Sequence, residues 1–322
     1  MRALRYSAAP TIWTTWTPNL SAGPPATPLM TASQHMVKAN GLRFRAMVDG
    51  PADGELVILL HGFPEGAESW SKQVDALAHA GCLAVAPDLR GYGLSDAPEG
   101  VENYAIDHLA DDVRSIIKAF GRSAAHVAGH DWGAMVAWYF AGRNPEMTKT
   151  LTALSVPHPA ALAAAGHGDE DQQARSRYVG LFLIVGKAEE VLAGDDYRRL
   201  RSMFSLGPNP DAVPRSVIDH FTRSVSRPGR LTAALNYYRA NLVVGGGAWE
   251  TPIQIGPIKM PTALLWGDQD PALGRTAAEA TAKHVEGDYR LEVLEGAGHW
   301  LQFERPAEVS LALATAARQV SC

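Results

Sequence analysis

From Val37 onward, apolar and polar positions fall into strand-like and helix-like periods that follow one another in turn. Asn40-Gly41, flanked by the alternation Leu42, Phe44, Ala46 and Val48, predicts a two-residue hairpin. Residues 56–60 are apolar without a break, as in a central strand buried on both faces, and the run ends at His61-Gly62. A helix follows over 69–80 and a strand over 83–86. Residues 106–120 predict an amphipathic helix, with Leu109, Val113, Ile116 and Ile117 on one face. A short strand at 124–128, helical spacing over 132–141 and a strand at 151–156 continue the series. Repeated strand, helix, strand units imply a parallel sheet with helices on both faces.

The character changes after Pro157-His158-Pro159. Residues from about 160 to 250 show helical periodicity and turn signals but no convincing central strand. The sheet pattern resumes at 262–266 and 290–294, and the last helix spans 306–319. The expected architecture is therefore an α/β core of residues 36–158 and 251–322, interrupted by a helical cap over 159–250. Residues 1–35 carry Pro10, Pro18, Pro24, Pro25 and Pro28 among many Ser and Thr, and are expected to be a poorly ordered extension.

Composition removes several function classes. With 46% hydrophobic and 20% charged residues the chain has ample material for a core. A net charge of −5 offers no basic surplus for a polyanion, so nucleic acid is not an expected partner. Two cysteines, Cys82 and Cys322, cannot build a disulfide framework or a cysteine metal site, and a reducing cytoplasm is the expected location. No run approaches the ~18 consecutive apolar residues of a membrane span. The histidines lack metal-like spacing, and neither metal nor organic cofactor is expected. Oligomeric state is not legible at this stage.

The informative segment is Gly129-His130-Asp131-Trp132-Gly133, between a strand and a helix. It is a G-x-D-x-G form of the nucleophile elbow, the sharp turn that lifts one side chain above the sheet. Alone it is weak, because an Asp near a helix start is commonly a cap. Its weight comes from Asp270, just past the strand at 262–266, and from His299 in Gly298-His299-Trp300 after the last strand. The order Asp131, Asp270, His299 is the nucleophile, acid, histidine order of α/β hydrolases. Asp268 competes with Asp270 for the orienting role. Asp270 is preferred as the residue further past the strand end, with Asp268 a turn former. His61 and His130 are read as structural. The backbone N–H groups of Phe63 and Trp132 are the expected oxyanion hole, and Phe63, Pro64, Trp132 and Trp300 the expected pocket walls.

A carboxylate at the elbow points to a particular chemistry. It is ionised at neutral pH and attacks a saturated carbon without a general base, giving an ester that activated water can cleave. Serine would give an ether that cannot be so released. Epoxides and alkyl halides both suit this nucleophile. An epoxide oxygen needs a hydroxyl donor, whereas a halide needs N–H donors in an apolar pocket. Tyr178, Tyr237 and Tyr238 lie in the candidate cap, and on one helix Tyr237 and Tyr238 would point about 100° apart, so that only one faces Asp131.

Over about residues 36–322 the chain resembles the α/β-hydrolase-fold epoxide hydrolases. The resemblance rests on His61-Gly62-Phe63-Pro64, Asp88-Leu89-Arg90-Gly91-Tyr92-Gly93, Gly129-His130-Asp131-Trp132-Gly133 and Gly298-His299-Trp300. It implies a small-molecule epoxide and water as partners, and two cap tyrosines that activate the epoxide. Asn236-Tyr237-Tyr238-Arg239 carries one role to Tyr238. Tyr178, ahead of Gly186-Lys187-Ala188-Glu189, matches the other, although Val179-Gly180-Leu181 departs from the family's more polar pattern. Haloalkane dehalogenases share the aspartate but often place a halide donor such as Asn after His-Gly, where Phe63 stands here. Catalytically silent ligand-binding homologues share the fold and have no need of all three of Asp131, Asp270 and His299.

Overall fold

The computed structural model describes residues 32–245, 248–250 and 253–319. Most of the expectation for residues 1–35 lies outside them. Where described, however, the sheet starts before position 36, because β1 (Ser33–Ala39) already pairs with β2 (Leu42–Asp49), Ser33 opposite Val48. This start had no apolar signature because Ser33 to Met36 face solvent on an edge strand. Asn40 and Gly41 between the two strands have φ of 48° and 74°, the left-handed pair of a type I′ hairpin.

The chain continues through β3 (Glu55–Leu60), α1 (Ser71–His79), β4 (Cys82–Pro87), α2 (Ile106–Ala119), β5 (Ala125–His130), α3 (Trp132–Arg143) and β6 (Thr148–Leu154). Six helices follow: α4 (Pro159–Gly168), α5 (Glu170–Arg175), α6 (Arg177–Phe182), α7 (Lys187–Met203), α8 (Arg215–Val225) and α9 (Arg230–Asn241). α7 is kinked at Gly194–Tyr197, where Asp195, Asp196 and Tyr197 take left-handed backbone angles. A small antiparallel pair, β7 (Val243–Gly245) and β8 (Ala248–Glu250), lies apart from the main sheet. β9 (Thr262–Gly267), α10 (Arg275–Ala280), β10 (Tyr289–Leu294), α11 (Leu301–Glu304) and α12 (Pro306–Gln319) complete the chain. None of the described helices is long and apolar enough to cross a membrane.

The eight-stranded sheet has the order β1-β2-β4-β3-β5-β6-β9-β10. β1 and β2 are antiparallel additions at one edge; from β4 to β10 every pairing is parallel. Each residue of β4 and of β5 is buried; β4 is accordingly apolar on both faces, while β5 buries His126 and His130 with polar partners. β6 begins at Thr148, ahead of the expected position 151, because its first turn of ladder is polar. Thr150 pairs with His126 across a register shift, and its hydroxyl meets the His126 ring at 2.8 Å inside the buried sheet. The parallel order places the C-terminal ends of β3, β5, β6, β9 and β10 along one edge, where the loops carrying Phe63, Asp131, Asp270 and His299 emerge.

One buried ion pair fastens the loop after β4 to α2. The Arg90 guanidinium meets Asp112 twice, at 2.6 Å from Nε and 2.6 Å from Nη2, and also donates to the Asn103 carbonyl. Asn40 of the hairpin donates to the same carboxylate at 2.8 Å. The Arg90 carbonyl accepts the Tyr237 hydroxyl at 2.8 Å, so the arrangement reaches from β1–β2 to α9. Asp112→Ala leaves the guanidinium buried and uncompensated, and is expected to cost about 3–5 kcal/mol of unfolding free energy in urea titration. A loss below about 1 kcal/mol would show the pair to be no stronger than a surface one.

Candidate active site

Asp131 stands at the junction of β5 and α3 with φ of 49°, a conformation that costs a non-glycine residue about 1–3 kcal/mol. The surroundings force it. A Cβ on Gly129 would lie 2.2 Å from the Gly133 carbonyl oxygen, and one on Gly133 would lie 2.0 Å from that of Leu60. Both positions are therefore restricted to glycine by close backbone approach. The turn aims the Asp131 carboxylate at the loop after β3, where the Phe63 N–H donates to its Oδ1 at 2.8 Å. Trp132 opens α3, and the first N–H groups of a helix have no partner within it.

Oδ2 of Asp131 lies 3.7 Å from His299 Nε2. On the other side of the ring, Nδ1 meets Asp270 Oδ2 at 2.8 Å. Asp270 is fully buried, and its Oδ1 accepts the Ala272 and Leu273 N–H groups at 2.7 and 3.0 Å. Both oxygens are thus committed, and Nδ1–H donates to the carboxylate while Nε2 faces Asp131. Asp268 instead accepts the Gly296 N–H at 2.7 Å and shapes the turn. Of the two competing acids, Asp270 is the one brought to the histidine.

Electrostatics follow from this geometry. Burial disfavours a charged Asp131, but the charge of the nearby His299, with the Phe63 N–H hydrogen bond, more than compensates, and the carboxyl sits below the ordinary range. Burial alone would lower His299. Two flanking carboxylates, Asp270 and Asp131, instead hold its pKa well above the ordinary value. Each group thus favours the charged form of the other.

Across a cavity from Asp131 stand Tyr178 of α6 and Tyr238 of α9. Burial, then the charge of Asp131, raises both phenol pKa values, so both hydroxyls keep their protons. The Tyr238 ring is wedged between Trp132 and Phe182, with centroids 5.0 Å away in each case, and Phe63 at 5.5 Å. Tyr237 turns the other way and spends its hydroxyl on the Arg90 carbonyl.

The cavity walls differ from those expected. Trp132 lines the space, but Phe63, Pro64 and Trp300 do not. The Phe63 ring packs behind the tyrosine against Phe182 at 5.2 Å, and Pro64 is buried in the turn after it. Trp300 faces away, stacking on Phe204 at 4.7 Å and donating its indole N–H to the Met203 carbonyl at 3.3 Å. Met135, Val156, Leu162, Val179, Leu242 and Leu273 form an apolar wall in their place, with Ser176 and Ala272. These are scattered over the chain with no motif to mark them.

A second group escaped notice in the sequence. Glu65, wholly buried, contacts His130 Nδ1 at 2.9 Å, and accepts from Gln302 at 2.7 Å and from the Gly62 N–H at 2.8 Å. His130 Nε2 and the Ser155 hydroxyl both meet the carbonyl of His299, at 2.8 and 2.7 Å. His61 accepts the Leu89 N–H at 3.0 Å and is structural in this geometry. The signal available was the position of Glu65, directly after His61-Gly62-Phe63-Pro64.

The fold and this juxtaposition define an α/β hydrolase with a carboxylate at the strand-to-helix turn. The family model that matches, described as alpha/beta hydrolase fold, covers residues 55–306. The chain is 36% identical to the AB hydrolase superfamily protein YfhM of Bacillus subtilis, over 85% of this chain and 94% of that one. It is 35% identical to Epoxide hydrolase A of Mycobacterium tuberculosis, over 87% and 96% respectively. Among solved structures, Epoxide Hydrolase A from Mycobacterium thermoresistibile superposes with a TM-score of 0.75 at 34% identity, covering 90% of this chain and 99% of that one. The chain belongs to the α/β-hydrolase-fold epoxide hydrolase family.

Because Asp131 supplies part of the charge that keeps His299 protonated, Asp131→Asn is expected to lower the His299 pKa. An NMR titration of the imidazole would read the shift; an unchanged midpoint would show that Asp270 alone sets it.

Proposed function

We propose that the protein converts epoxides to vicinal diols in two half-reactions, through an ester on Asp131. The observation that carries this reading is one carboxylate, gripped at Oδ1 by the Phe63 N–H, whose Oδ2 lies by His299 and faces two tyrosine hydroxyls across an apolar cavity. In the first half-reaction Oδ2 attacks an epoxide carbon as the carbon–oxygen bond breaks. Tyr238 and Tyr178 donate hydrogen bonds to the leaving oxygen, and one of them passes it a proton and is left as a tyrosinate. The helices from 159 to 250 act as the cap, since both tyrosines come from them.

Ester formation removes the negative charge of Asp131, and with it part of the support for an imidazolium at His299. The histidine gives up its proton, which returns the tyrosinate to a phenol, and Nε2 becomes a base. It takes a proton from water, which attacks the ester carbonyl. The oxyanion develops on Oδ1, held by the N–H groups of Phe63 and Trp132, and collapses to release the diol and restore the carboxylate. Asp270 keeps the ring in the tautomer and orientation this requires. An alkyl halide would call for N–H donors at the leaving group, whereas the side chains that share the cavity with Asp131 include the hydroxyl donors Tyr178 and Tyr238.

Wild type is expected to form diol from a simple aryl epoxide and to release no halide from a bromoalkane, while Asp131→Ala forms neither product. Halide without diol would move the protein to dehalogenation, and neither product from wild type would favour a ligand-binding role. Tyr238→Phe is expected to slow ester formation about 10²-fold, as for loss of a proton donor, with the ester's hydrolysis little changed in single-turnover measurements. Equal slowing of both steps would count against Tyr238 as the donor.

A further inference from the structure

The backbone around His299 is pinned from two sides. Its own carbonyl is held by His130 and Ser155 from the core. The peptide N–H groups on either side of it point the other way, into one carboxylate at the end of α11. Gly298 N–H donates to Glu304 Oε2 at 2.7 Å, and Trp300 N–H to Oε1 at 3.0 Å. Glu304 therefore brackets the histidine, one oxygen to each neighbouring peptide. Nothing in the half-reactions described above uses it.

The carboxylate is reached in turn from the segment between α7 and α8. The Asn209 side-chain amide donates to Glu304 Oε2 at 2.6 Å and to the Gly296 carbonyl at 2.9 Å. Met203 and Phe204, just before it, receive the indole N–H and the ring face of Trp300. On the acid's side, Arg175 of α5 donates to the Asp270 carbonyl. Residues from the 159–250 segment thus hydrogen-bond to the loops of both His299 and Asp270, and pack rings against Phe63 and Trp132 beside Asp131.

We propose that Glu304 is a positioning residue for His299, and that Asn209 lets the cap set the water-activating step through it. The inference rests on the reading of His299 as the base in ester hydrolysis. A glutamine at 304 keeps one acceptor oxygen but turns an NH2 group toward a peptide N–H, donor against donor, and the loop must shift. Displacing a reacting group by about an ångström costs on the order of 10²-fold, so ester hydrolysis in Glu304→Gln should fall at least about tenfold. Ester formation depends on Asp131, Phe63 and the tyrosines, and should stay within about twofold by the same reasoning.

The test is single-turnover kinetics with an aryl epoxide, following the ester on Asp131 by mass spectrometry, in wild type, Glu304→Gln and the half-buried Asn209→Ala. Accumulation of ester in both variants, less in Asn209→Ala, is the expected result. Asn209→Asp adds a readout that a purely structural role would not move. At low pH two carboxyls sharing a proton reproduce the amide's hydrogen bond, whereas at higher pH two like charges repel. Its hydrolysis rate relative to wild type should therefore decline as pH rises. Ester that decays at the wild-type rate in all three variants, or both steps slowing alike with no dependence on pH, would overturn the proposal. A wild type that turns over without any ester on Asp131 would overturn the underlying mechanism instead, and this inference with it.

Discussion

Everything at the site depends on how closely three stretches of backbone approach at the end of β5. Gly129, Gly133 and the Leu60 carbonyl meet at distances that leave no room for a side chain. That crowding holds Asp131 at a positive φ and so decides which way its carboxylate points. The energy stored there is small against the apolar burial of the surrounding strands, which are covered on both faces. The sheet can therefore sustain a strained residue at its edge, and the strain is converted into direction. The carboxylate leaves the sheet toward Phe63, His299 and the cavity rather than folding back as a helix cap.

The second constraint is electrostatic. One imidazole lies between two carboxylates, one buried and fully hydrogen-bonded, the other facing the cavity. The inner one is fixed in place by its hydrogen-bond partners. The outer one is the group whose charge would disappear on becoming an ester. The same ring is thereby suited to being an acid's partner before alkylation and a base after it.

Much of this was legible in the chain because it is carried by short, contiguous signals. The apolar runs of β3 and β4, the amphipathic spacing of α2 and the Asn40-Gly41 turn each reflect a local requirement that sequence states directly. So do the elbow and the Asp270 and His299 loops. The start of β6 was hidden because His126 and Thr150 satisfy one another across the ladder, a polar pair that reads as a loop until its partner is known. The cavity walls were hidden for another reason: Met135, Leu162, Val179 and Leu242 are ordinary apolar residues, brought together only by the packing of helices far apart in sequence. Phe63 and Trp300 sit within the conspicuous motifs of the chain, yet chain proximity did not decide where their rings went. Packing against Phe182 and Phe204 did.

The adjacent tyrosines of α9 carry a consequence for how this segment can vary. Tyr237 is spent on a carbonyl of the core and Tyr238 faces the cavity, so the angular phase of the helix is locked by the first for the benefit of the second. Loops on either side of α9 are free to lengthen or shorten without disturbing that phase. Insertion or deletion of a single residue within the helix ahead of Tyr237 is not tolerated in the same way, since it would rotate the rest of the helix's packing face relative to this anchor. Exchange of the 159–250 segment between relatives should therefore be cut in the turns flanking α9, with Tyr237 and Tyr238 exchanged as a unit.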